Sequence, residues 1–114
     1  MSILTRLRKL WTTVMKIYDV KILDTALLDI NDLADFLFEK LSRESAYRYL
    51  DLLRQEAKSL SLYADCFSES RSLRIRSIHP KARRMVSHNH KWVFVFHVDG
   101  DTVYIDRILP SSFI

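Results

Sequence analysis

The stretch KWVFVFHVDGDTVYIDRIL, Lys91 to Leu109, decides the fold. Two runs of aromatic and β-branched residues flank Asp99-Gly100, a pair suited to the positive φ angles of a two-residue type I′ turn, so the stretch reads as a β-hairpin. Pairing outward from that turn sets Val98 opposite Asp101, Phe96 opposite Val103, Phe94 opposite Ile105 and Trp92 opposite Arg107. One face of the hairpin then carries Phe94, Phe96, Val103 and Ile105 together. Each of these side chains stabilises by roughly 1.5–3 kcal/mol when buried, which a lone hairpin cannot realise in water, so the preceding segments must supply a covering layer.

Just upstream, Arg83, Met85 and Ser87 alternate with Arg84, Val86 and His88, the period of a strand that turns at His88-Asn89-His90 into the hairpin, Asn being tolerant of left-handed geometry. Leu73 and Ile75 alternate with Arg74 and Arg76 before Pro80, which reads as a short edge strand or an extended loop. The covering layer comes from residues 24–62. Asp24-Thr25 offers cap chemistry for a helix beginning near Ala26, with Leu27, Ile30, Ala34, Leu37 and Leu41 as its apolar stripe. Ser42 is the next cap, and Ala46, Tyr49 or Leu50, Leu53, Ala57 and Leu60 form the inner face of a second helix. So short a link makes the two an antiparallel helical hairpin. Phe36, Phe38, Tyr47 and Leu52 are apolar outside those stripes, the mark of a wider buried face or of a groove for a partner helix. Before the helices, Tyr18, Val20 and Ile22 alternate with Asp19 and Lys21 within a strand over Met15–Leu23. The order strand, two helices, three strands predicts an α+β fold: a twisted antiparallel sheet with the helical hairpin on one face.

At 114 residues there is room for one domain around a single core. Residues 15–114 are its expected extent. Residues 1–14, MSILTRLRKLWTTV, place Ile3, Leu7, Leu10, Trp11 and Val14 at helical spacing among Arg6, Arg8 and Lys9. That basic amphipathic segment suits a membrane surface or a partner, and equally an extension upstream of the true start. The lone Cys66 has no partner for an internal disulfide, and no apolar run is long enough for a membrane span; a reduced, cytoplasmic protein without stable membrane insertion is expected.

Charge is sorted along the chain. Asp19 to Glu69 holds eleven acidic against six basic residues, whereas Arg71 to Lys91 holds seven basic residues (Arg71, Arg74, Arg76, Lys81, Arg83, Arg84, Lys91), three His and no acid. Such a block is a footprint for nucleic acid or an acidic protein segment. Arg74, Arg76, Lys81, Arg83, Arg84 and Lys91 are therefore the target-binding candidates. There is no phosphate-binding Gly loop, no HExxH and no Cys pair, and neither a metal site nor a cofactor is expected. RNA cleavage needs a base for the 2′-hydroxyl, cations for the phosphate and an acid for the leaving oxygen, all of which His and Arg supply without metal. Arg83, Arg84, His88, His90 and Arg107 are the catalytic candidates on that reading. Against it, Arg107 stacks on Trp92 across the hairpin, Arg83 and Arg84 are merely solvated, and His97, facing Thr102 beside the turn, is structural.

The helical hairpin, Arg83-Arg84-Met85, Trp92 to Val98 and the ending Thr102-Val103-Tyr104-Ile105-x-Arg107-Ile108-Leu109-Pro110 together resemble the RelE/ParE superfamily of toxins from type II toxin–antitoxin modules, also called plasmid stabilisation proteins. The resemblance covers about Met15 to Ile114. It implies an α+β fold with an antiparallel sheet, a cognate antitoxin whose C-terminal segment wraps the toxin, and as target either messenger RNA on the ribosome or DNA gyrase. RNA-cleaving members resembling the RelE branch commonly carry Arg three residues before the penultimate-strand aromatic, where this chain has Val93, and a further cation where it has Val86. The chain also ends at Ile114 without the longer tail of such members. The implied reading is thus a growth-inhibiting toxin acting on gyrase or on translation. The alternatives are an mRNA endonuclease built on Arg and His, and a non-toxic nucleic-acid-binding module.

Overall fold

A computed structural model of the chain describes residues 16–113. The element order is β1 (Asp19–Ile22), α1 (Asp24–Lys40), α2 (Arg43–Tyr63), α3 (Leu73–Ile78), β2 (Arg83–Val86), β3 (Trp92–Asp99) and β4 (Thr102–Pro110), with single 3₁₀ turns at Ala64–Cys66 and Ser111–Phe113. The expected α+β architecture is present: the strands lie in the order β1-β4-β3-β2, the last three antiparallel in hairpin succession. β1 adds to the far side of β4 in parallel, pairing Asp19 with Thr102 through Ile22 with Ile105, so the sheet is mixed. The basic segment 1–14, set apart in the sequence, lies outside the described residues.

The hairpin turns one step later than the sequence suggests. Asp99 pairs with Thr102, leaving Gly100 and Asp101 as the loop, with Gly100 at φ 60° and Asp101 not in the left-handed region. Glycine at the first central position with its neighbour at negative φ is the type II′ arrangement, not type I′. The register near the turn is therefore Val98 to Val103 and Phe96 to Ile105, a slip of two from the expected pairing. Because side chains alternate with period two, that slip leaves every residue on its expected face. Phe94, Phe96, Val103 and Ile105 are all fully buried beneath the helices.

Farther from the turn β4 carries a bulge. Phe96 still pairs with Ile105, but Val95 pairs with Arg107, so Asp106 has no partner in the ladder. The extra residue inverts the alternation that follows. Without it Arg107 would share the inner face with Ile105; with it Ile108 joins the inner core, and Leu109 joins Val93 and Val95 on the outer face. Trp92 consequently pairs with Pro110, and its Nε1–H donates to the Tyr49 hydroxyl at 2.8 Å.

The helices form the inner layer as expected, with α1 rotated. Its buried residues are Ala26, Leu33 and Leu37, while Leu27 and Leu41 of the anticipated stripe stay more than two-fifths exposed. The cause lies in how α1 begins. Leu23 N–H still donates to Ile105 O at 3.0 Å as the sheet ends, and the Thr25 hydroxyl, instead of capping the helix, donates to Asp106 O at 2.7 Å. These bonds press the small Ala26 against β4 and set the face that α1 presents. In α2, Ser42 Oγ accepts from Ser45 N–H at 3.2 Å, the anticipated cap, and Ala46, Leu53, Ala57 and Leu60 are buried.

Leu73–Ile78 is a short helix, neither an edge strand nor an extended loop. Ile75 and Ile78, three apart, share one helical side and pack with Ala82, Val93, Val95 and Leu109 on the outer face of the sheet. The turn into β3 also differs in detail: His90, with φ 61°, is the left-handed residue. Asn89 works through its side chain, with Oδ1 accepting from Lys91 N–H at 3.0 Å and Nδ2 donating to Tyr49 at 2.8 Å.

Candidate functional site

The cations singled out from the sequence fall into two groups, those tied to acids and those facing solvent. Arg107 belongs to the first. Its guanidinium grips Asp29 of α1 through Nε at 2.8 Å and Nη2 at 3.0 Å, and Asp29 also accepts from Ile108 N–H at 2.9 Å. β1 covers β4 only as far as Ile105, so Asp29 satisfies the strand edge beyond it. The Asp29 carboxylate raises the Arg107 pKa above its ordinary value against the opposing effect of desolvation. Arg107 is thus paired with Asp29, and the expected stacking on Trp92 gives way to that contact.

Arg83 is also bound. Its Nη1 donates to Ala64 O at 3.1 Å, at the C-terminal end of α2, and lies 3.6 Å from Asp65. A cation at that end meets the free carbonyls and the negative pole of the helix dipole. Asp65 in turn accepts from the Tyr18 hydroxyl at 2.8 Å. Burial, and then the Asp65 carboxylate, raise the Tyr18 pKa above the usual tyrosine value. His88 meets Glu56 of α2 twice, its backbone N–H donating at 3.0 Å and its Nδ1 lying 3.3 Å from the same oxygen.

Arg84 and His90 are exposed, as are Arg76, Lys81 and Lys91. Arg74 is exposed too, but donates to Phe113 O and lies over the Phe113 ring at 5.8 Å. The five catalytic candidates are therefore spread over the sheet. Arg84 and Arg107 share one row, separated by Val95, whereas His88 and His90 belong to the loop beyond the far end of β2. Arg84 has a different neighbour, Arg71, across a polar hollow of about 490 Å³ that Glu69 and Ser70 also line. Arg71 stood within the basic block of the sequence without being set apart from it.

One polar cluster escaped the sequence reading. His97 pairs with Tyr104, not Thr102, and its Nδ1 lies 2.7 Å from Asp106 Oδ2. The His79 ring lies parallel on His97 at 3.8 Å, and its Nδ1 accepts from Lys81 N–H at 3.0 Å. Tyr104 stacks on His97 at 5.2 Å. The register of the turn is what brings Asp106 to His97: with Tyr104 opposite His97, Asp106 follows two residues on along the same face, whereas the register the sequence suggests would set it opposite Val93.

An apolar groove of about 390 Å³ lies between α1 and α2. Ile22 and Ile108 line it beside Leu27 and Ile30 of α1 and Leu50, Leu53 and Ala57 of α2, with Tyr47, Asp51 and Arg54 among the remaining lining residues. Phe36, Phe38, Tyr47 and Leu52, which the sequence leaves outside the stripes, are each more than two-fifths exposed. Among the described residues, no three His, Cys, Asp or Glu side chains gather as a metal site would require, and no helix is long and apolar enough to cross a membrane.

No protein-family model matches the sequence, and no curated protein matches it. Among solved structures, a chain of the chromosomal ParDE TA (toxin–antitoxin) system from P. aeruginosa superposes with a TM-score of 0.69, covering 82% of this chain and 96% of its own, at 19% identity. The chain has a RelE/ParE-like fold. At that identity the likeness is one of fold.

Proposed function

We propose that this protein is the toxin component of a type II toxin–antitoxin module, held inactive by a cognate antitoxin. The observation that carries the proposal is the likeness to the ParDE chain over 96% of that chain's length, joined to the family-like strands Trp92–Val98 and Thr102–Pro110. An acidic antitoxin segment suits the basic outer margin marked by Arg74, Arg76, Lys81, Arg84 and Lys91, while its apolar side chains suit the exposed Phe36, Phe38, Tyr47 and Leu52. The module acts in the cytoplasm, where both gyrase and the ribosome are reached.

Between the two targets, binding to gyrase is the reading we favour. Arg83, His88 and Arg107 are each engaged by an acid of the fold, and Val93 and Val86 stand where resemblance to RNA-cleaving members calls for cations. A surface that blocks a partner tolerates such losses; an active site that must neutralise a phosphate in flight does not. Expression from an inducible promoter should arrest growth, and co-expression of a cognate antitoxin should relieve the arrest. Uninterrupted growth would remove the toxin reading and leave a nucleic-acid-binding module, recognisable by salt-sensitive binding. Purified protein should stall supercoiling by gyrase, with Arg84→Ala weakening the effect. Transcripts cut in a translating extract, with supercoiling untouched, would replace the gyrase reading by the RNA-cleaving one.

A further inference from the structure

We propose that the crevice between α2 and the turn from β2 into β3 is a nucleobase subsite, a recess that takes one unpaired base of a single-stranded nucleic acid by hydrogen bonds to Tyr49 and Glu56. The recess holds about 100 Å³ and is lined by Tyr49, Leu52, Leu53 and Glu56 of α2 and by Asn89 of the turn. Pockets for whole small molecules run to about 300–1,000 Å³, so this one takes a single group of a larger ligand.

Its polar groups are only half used. Trp92 Nε1–H and Asn89 Nδ2–H both donate to the Tyr49 hydroxyl oxygen, each at 2.8 Å. Two donors occupy both lone pairs of that oxygen, so what Tyr49 has left to offer is its own O–H. No acceptor among the described residues receives it. Glu56, two turns or about 10 Å farther along α2, is in the opposite position. Its Oε1 accepts from His88 N–H at 3.0 Å, whereas Oε2 is buried and meets no donor among the described residues. A buried carboxylate oxygen without a donor is costly, and a ligand N–H removes the cost. The pair therefore calls for a group that accepts at one end and donates at the other.

Charge around the recess selects among such groups. Glu56 is the one charged residue in the lining, while Arg48, His88, His90 and Lys91, the chain neighbours of Tyr49 and Asn89, are all exposed. A partner's lysine or arginine would meet those cations and has no acceptor for the Tyr49 hydroxyl. An amide side chain makes the same hydrogen bonds but has no charge to answer the cations. A nucleobase carries acceptors and N–H donors on its edges, an apolar face for Leu52, which is 56% exposed, and a phosphate on either side for the cations. The subsite stands on these contacts and does not depend on the toxin reading.

Trp92 reports on it, because its Nε1–H shares the Tyr49 hydroxyl and Trp11 is the only other tryptophan. In a Trp11→Phe background, its emission is titrated with short single-stranded oligocytidylate and oligoadenylate, and with an abasic phosphodiester chain of the same length. At least one base-bearing chain should bind about tenfold more tightly than the abasic one, the share of a hydrogen bond to a charged group. Glu56→Gln, which leaves Oε1 for His88 and sets an N–H₂ where the free acceptor stood, should erase that difference with binding of the abasic chain unchanged. Tyr49→Phe should shrink it from the other end, and keeps the test decisive if the Glu56 variant fails to fold. Equal affinity for base-bearing and abasic chains, or binding of neither, would overturn the subsite, as would a preference that survives both substitutions. So would a Trp92 response to propionamide with none to the oligonucleotides, the mark of an amide side chain from a protein partner.

Discussion

The two faces of the sheet are built from the same strands by opposite means. The inner face buries Phe94, Phe96, Val103, Ile105 and Ile108 under two long helices, with Arg83 of β2 tied to the end of α2 at its margin. The outer face has a smaller apolar patch, Val93, Val95 and Leu109 under the six-residue α3, and beside it the stacked His79, His97 and Tyr104 with Asp106. Apolar burial is non-directional and tolerates a slipped register, whereas the polar cluster needs the observed register, which sets Tyr104 opposite His97 and Asp106 beside them on the same face. Stability should therefore reside on the inner face and geometric specificity on the outer.

The sharpest way to break this contrast is Phe96→Ala. Opening a cavity in the inner core should cost about 3–5 kcal/mol, read as a fall in the urea midpoint. A loss below that of any outer-face variant would refute the division. Next in size, Asp106→Ala should cost about 1–3 kcal/mol by leaving His97 Nδ1 without its acceptor, and Asp106→Asn should recover part of it. A wild-type midpoint for the alanine variant would mean that the outer cluster is ornamental.

Tyr18, at the margin of the inner core, gives a pH test. Its folded pKa is raised above the unfolded value of about 10, so its stabilising effect is complete below that value and is lost as pH climbs through the folded pKa. Denaturation midpoints should decline in the alkaline range, and Tyr18→Phe should flatten the decline; an unchanged slope would assign it to other groups. Smallest of all, Ser42→Ala should cost about 0.5–1 kcal/mol by removing the α2 cap, with both faces intact. A larger loss would show the helical hairpin to be less independent of its link than the two-face division requires.

Much of this fold was legible in the sequence, and the exceptions share a cause. The inner hairpin face came out correctly although the turn was misplaced, because a slip of two residues preserves alternation. Stripe spacing alone could not choose between Ala26-Ile30-Leu33-Leu37 and Leu27-Ile30-Ala34-Leu37, since both fit a helix and the bonds at Leu23 and Thr25 decide. α3 is under two turns long, too short for its period to outweigh the alternation of Leu73 with Ile75. The cations were visible as a block, but their engagement was not. Arg107 meets an acid 78 residues away and His88 one 32 residues away, and no local pattern records such pairings.

The parallel pairing of β1 with β4 has a consequence for how the chain comes off the ribosome. Asp19 precedes its partner Thr102 by more than eighty residues, so the sheet cannot close until β4 has been synthesised. At 5–20 residues per second the interval between the end of α2 and the end of β4 is about 2–10 s. Through that interval Leu33, Leu37, Leu53 and Leu60 have no sheet to cover, and the nascent helical hairpin is a substrate for any chaperone or partner that reaches it first.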